Sequence, residues 1–128
     1  MRHEGTAKLD KRTKDLVKRL GPNDIAIIDH VDMDRVSAET LLASGVEVVI
    51  NAAQSISGAY PNIGPLILAR GGVTIIDNTG EGIFDALREG DDIVVEGENI
   101  LKDGVLVGKG TRLSVASIES AMEVAKDN

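Results

Sequence analysis

Apolar residues in this chain come in short, unbroken runs. IAIID (25–29), VEVVIN (46–51) and VTII (73–76) are each bounded by turn residues and too short for a helix, which suits strands covered on both faces. Stretches with helical spacing stand before and between them. Leu9, Thr13, Leu16, Val17 and Leu20 recur at that spacing until GPND stops them, and SAETLLAS ends on a glycine, Gly45, suited to a C-cap. Pro65 opens a short helix through Arg70, and EGIFDALREG predicts a short amphipathic one. The pattern then changes. DDIVVEG, NILKDG and VLVGKG are short runs separated by turn signals and predict antiparallel hairpins. Ser114 is placed to cap a last helix with Val115, Ile118, Met122 and Ala125 along one face. The expected fold is α/β, with parallel strands, flanking helices and a β meander.

Composition narrows the classes. A chain of 128 residues is one domain, able to bury a core without staples. It has no Cys, so disulfides and thiolate chemistry are excluded. No apolar leader or run near the roughly 18 residues of a membrane span is present, and a soluble, cytoplasmic domain is expected. A net charge of −7 and a single Tyr and Phe argue against nucleic acid as a partner, which needs clustered cations and stacking rings. KLDKRTKDLVKR carries six basic residues. It reads as a solvated helix face, with contact to an acidic partner as the lesser reading. The last helix is still in register where the chain stops. Either this is a natural end, or the domain is a piece cut from a longer protein at a helical linker, with helices 9–20 and 114–126 as linker or contact elements; the second is the expectation.

Candidate chemistry gathers after the strands. DHVDMD (29–34) places Asp29, His30, Asp32 and Asp34 at a strand's carboxyl end, where ligands of open α/β sheets collect. Its spacing matches no metal motif, so no metal is assigned. Asp32 or Asp34 is expected to cap the next helix and His30 to make a structural hydrogen bond, with ligand contact as the alternative. The loop NAAQSISGAYPNIGP (51–65) is rich in Ser, Asn and Gly. Ser55, Ser57, Gly58, Asn62 and Gly64 are residue types that let backbone amides approach an anion, ahead of a helix start. A phosphate-loop lysine and a nucleophile elbow are both missing, so no catalytic residue is assigned. NTGEG (78–82) follows the third strand and is expected to close the same edge through Asn78.

From Gly5 onward, and most specifically in LDKRTKDLVKRL, DIAIIDHVDMDRV and NAAQSISGAYPNIGP, the chain resembles the amino-terminal region of the SteA family of bacterial cytokinetic-ring proteins. The resemblance implies a role in cell division and septal cell-wall processing, a downstream domain like thiamin pyrophosphokinase, a membrane partner of the SteB type, and membrane association at the division site in the whole protein. A more distant likeness, over VEVVINAAQSISGAYPNIGPLILARGGVTIIDNTGEGIFDALREGDDIVVEG, is to the swivelling β/β/α phosphohistidine domain of phosphoenolpyruvate-utilising enzymes. The position of that domain's phosphate-accepting His is Gly64 here, so phosphotransfer through the loop is not expected.

These readings converge on a domain that is not itself an enzyme and that binds a ligand or docks a neighbouring domain. Its expected site is Asn51, Ser55, Ser57, Gly58, Asn62 and Gly64, with Asp29, His30 and Asn78 across the strand ends. The ligand expected there is a phosphorylated small molecule or nucleotide. Two alternatives stand beside it: the regulatory part of a pyrophosphokinase-like enzyme, and a scaffold that forms homo-oligomers through the first helix and the meander.

Overall fold

The computed structural model describes every residue except Tyr60, Asp127 and Asn128. The chain opens on β1 (Arg2–Leu9), turns through α1 (Thr13–Leu16) and a 3-10 turn (Val17–Arg19), and enters β2 (Asp24–Ile28). It then alternates through α2 (Arg35–Ala43), β3 (Val48–Asn51), α3 (Gly64–Arg70), β4 (Thr74–Asp77) and α4 (Ile83–Ala86). Four strands follow, β5 (Asp92–Glu96), β6 (Asn99–Lys102), β7 (Val105–Lys109) and β8 (Thr111–Leu113), before α5 (Val115–Lys126).

All eight strands make one sheet in the order β7-β6-β5-β1-β2-β3-β4-β8. β1 to β4 run parallel, with Ala7 opposite Ile25, Ile25 opposite Val48 and Val48 opposite Thr74. β5, β6, β7 and β8 join antiparallel. Only Gly110 separates β7 from β8, yet the two occupy opposite ends of the sheet. The sheet therefore has to roll until its edges meet. At the junction the Gly110 amide donates to Glu98 O and the Arg112 amide to the Glu98 carboxylate. A Cβ on Gly110 would sit 2.5 Å from Asp77 O, so the crossing of β4 demands glycine.

The unbroken apolar runs are explained by a core on each face. Ile25 and Ile27 of β2 point with Val48 and Ile50 into a cluster closed by Ile83, Leu87, Ile93, Val95 and Ile100. The alternate residues, Ala26, Ile28 and Val49, face the helices, among Leu16, Met33, Ala38, Leu41 and Leu68. Period-two alternation buried on both sides leaves no polar positions to mark it.

The expected fold class is the one found, and the meander hairpins and the final helix stand where the sequence places them. On α5, Ser114 Oγ accepts from the Ser117 amide at 3.0 Å, and Ile118 and Ala125 are buried. One expectation is corrected, and two strands appear that the sequence does not mark. A helix over 9–20 does not form: Leu9 ends β1, the helical part is short, and its buried residues are Thr13 and Leu16. β1 itself escapes the apolar pattern because it reads RHEGTAKL, with Ala7 alone buried in it. Gly5 marks it instead, since a Cβ there would lie 2.8 Å from Asn23 O and from the Ile25 side chain. β8 is the second strand the sequence hides, being three residues long.

Candidate functional site

Of the four parallel strands, β2, β3 and β4 end in Asx residues or lead straight into one: Asp29, Asn51 and Asp77. The loops after them are stitched together by side chains. Asn51 is fully buried; its amide nitrogen donates to His30 O at 2.9 Å and to Ser55 Oγ at 2.8 Å, and its oxygen accepts from the amides of His30 and Ala53. It thus continues the pairing of β2 with β3 beyond the last strand residue. Ser55, also fully buried, donates its hydroxyl to Asp77 at 2.7 Å and its amide to the same carboxylate. Burial raises the Asp77 pKa above the ordinary carboxylate range, and the Ser55 hydrogen bonds pull the other way.

The DHVDMD segment and the serine loop are direct neighbours. Asp32 accepts from the Ser57 amide at 2.7 Å, the Ser57 hydroxyl at 2.8 Å and Asn62 Nδ2 at 3.0 Å. Asp32 reaches them from a backbone with φ of 51°, a conformation Asp tolerates better than most residues. Backbone bonds from Asp32 to Gln54 O and from Met33 to Ser55 O seal the two segments. Gly64 is buried against this seam: a Cβ there would be 2.3 Å from Met33 O and 2.7 Å from Asp34 O. Asp34 caps α2 through the Ser37 amide, and this bonding lowers its pKa. Asn78, exposed, lies on the third loop, whose amides donate to the carbonyls of Asn51, Ala52 and Ala53.

The serine loop does cradle anions, and the anions are the chain's own carboxylates. Asn51 and Ser55, expected from the sequence to contact a ligand, are fully buried with their polar atoms bound to protein. Asn62 and Gly64 are buried as well, which leaves Ser57, Gly58 and Asn78 toward the surface. Within the loop, Tyr60 lies outside the described residues. Among the described residues no cluster of His, Asp and Glu is arranged to hold a metal ion.

An open groove of about 440 Å³ lies beside the platform, lined by Lys11, Arg12, Thr13, Lys14, Asp29, His30, Val31 and Ser37. Thr13 Oγ1 is 2.9 Å from His30 Nδ1, and His30 Nε2 is 3.4 Å from Asp34. Sequence reasoning assigned Asp29 and His30 but set the Lys11–Lys14 stretch aside as a solvated face. It also missed Asp77, although IAIID, VEVVIN and VTIID share an Asx at the carboxyl end. A cleft of about 500 Å³ elsewhere is lined by Glu4, Asp92 and Asn23 and carries no cation. No described helix is long and apolar enough to cross a membrane.

No family model matches the chain, and no curated protein matches it by sequence. Among solved structures, the chain is similar to a 3-isopropylmalate dehydratase (leuD) from Methanocaldococcus jannaschii, with a TM-score of 0.55 and 10% identity over 99% of this chain and 98% of that one. At that identity the likeness shows the fold, a mixed α/β architecture shared from end to end. It overturns one expectation from the sequence. The chain was expected not to be an enzyme, yet its fold is shared with a dehydratase, and that exclusion is withdrawn.

Proposed function

We propose that this chain is the docking module of a SteA-like bacterial division protein, and that the loops after β2 and β3 form the surface it offers to a protein partner. The observation that carries this reading is a set of exposed apolar side chains on a rigid base. Val31 is 60% exposed, Val36 68% and Ile63 44%. All three belong to the segments around the Gly64 seam, where Asp32, Ser57 and Asn62 tie the backbone down. Exposed valines scattered singly need no explanation; carried on segments that hydrogen bonds hold against one another, they fit an interface centre. A pre-tied surface also loses little entropy on binding.

The partner chemistry this reading favours is a folded domain, the pyrophosphokinase-like one expected downstream, with a membrane protein of the SteB type acting at the septum. Amide-resonance mapping with that domain added in trans tests it. Shifts confined to residues 29–36 and 57–64 are expected; shifts centred on the meander would reject this surface. A homo-oligomer has one specific observation in its favour, the exposed Val105 and Leu106 of β7 at one end of the sheet order. Its signature is a mass that rises with concentration in sedimentation and falls back in Leu106→Lys.

A further inference from the structure

We propose that the groove between the Lys11–Lys14 segment and the His30 loop binds a diphosphate-type anion. The chain as a whole carries −7, yet this groove presents Lys11, Arg12 and Lys14 against one lining carboxylate, Asp29. A local reversal of sign in an acidic protein draws anions to that spot.

The cations are available for exchange. Arg12 Nε is 3.7 Å from Asp15 with most of its side chain exposed, and Lys11 Nζ lies 5.6 Å from the Phe84 ring centre. Such exposed contacts hold a side chain weakly. Lys14 is in no ion pair among the described residues. The walls behind them are fixed. Arg19 donates to Leu9 O at 2.6 Å and to Glu89 at 2.6 Å, and Glu89 accepts from the Leu9 amide, so the turn that carries Lys11 and Arg12 is clamped at its start. On the far wall Asn51 holds the His30 backbone at both its amide and its carbonyl.

Chemical class follows from the lining. Three cations suit phosphoryl oxygens, Arg12 by a bidentate fork. Among the described residues no Phe, Tyr or Trp lines the groove, so it reads charge and offers no broad ring on which to stack a base. A volume of about 440 Å³ admits two linked phosphates. The same chemistry is offered by a free diphosphate and by an anionic lipid headgroup.

The experiment is calorimetric titration of the whole chain with pyrophosphate and with orthophosphate, and co-sedimentation with phosphatidylglycerol and phosphatidylcholine vesicles. Saturable pyrophosphate binding is expected, tighter than orthophosphate, weaker at high salt, and reduced about tenfold or more in Lys11→Ala/Arg12→Ala/Lys14→Ala. Unfolding in urea checks that this variant keeps its fold, and the single Lys14→Ala change serves if it does not. Salt-sensitive sedimentation with phosphatidylglycerol vesicles that pyrophosphate displaces assigns the same groove to a headgroup. Pyrophosphate binding without vesicle binding assigns it to a free ligand. No binding of either anion source, or binding undiminished in both variants, overturns the proposal. Val36→Ser with Ile63→Ser, which disturbs the proposed docking surface, leaves this binding unchanged, so the two readings fail separately.

Discussion

Ser55 and Asp77 form the pair on which the site's geometry depends. A buried carboxylate is tolerated when hydrogen bonds satisfy it, and Ser55 supplies both its amide and its hydroxyl. Ser55→Ala removes the hydroxyl from a fully buried place and is expected to cost about 1–3 kcal/mol of stability in urea unfolding at neutral pH. The Asp77 pKa is raised by burial. The native state therefore holds its proton to higher pH than the unfolded chain does. The Asp77 contribution is fully present below the ordinary carboxylate value and is lost as pH rises through the raised one. In Asp77→Asn that decline should be absent, so the stability advantage of wild type over the variant should shrink as pH rises through the acid range; a difference that does not change with pH would show that Asp77 is not the group responsible. At this scale the sequence shows the residue types but not their partners. Ser55 and Ser57 look alike in NAAQSISG, and folding sends one inward to Asp77 and the other outward to Asp32.

Among elements, the seam between α3 and the loop after β2 decides where the platform sits. Gly64 lies against the Met33 and Asp34 carbonyls, backbone atoms that cannot swing aside as a side chain does. Gly64→Ala is expected to lower stability by about 1–3 kcal/mol through overpacking. Gly82→Ala, where a Cβ meets nothing within 4 Å and φ is −55°, is the matched control and should change the urea midpoint little. The paired measurement separates close approach from a general cost of losing glycine. β2, β3 and β4 were legible because each is an apolar run closed by an Asx. β1 was not, because a strand lying between β2 and β5 here exposes or half-buries seven of its eight residues. The helical spacing from Leu9 to Leu20 misled for the same reason: Leu9 belongs to the strand and Leu16 to a short turn of helix, and spacing alone cannot say where one gives way to the other.

Across the whole molecule, rolling the sheet so that β7 meets β8 places the apolar meander face inside and leaves the carboxyl ends of β2 and β3 as one built surface. That surface is what the account assigns to a partner. The measurement that tests it most directly is calorimetric titration of the chain with a pyrophosphokinase-like domain of the SteA type, repeated with Val36→Ser/Ile63→Ser. Both substitutions are at exposed positions, so unfolding midpoints should stay close to wild type. The account predicts saturable association that the double substitution weakens about tenfold or more. Absence of association, or association of equal strength in the variant, would contradict it.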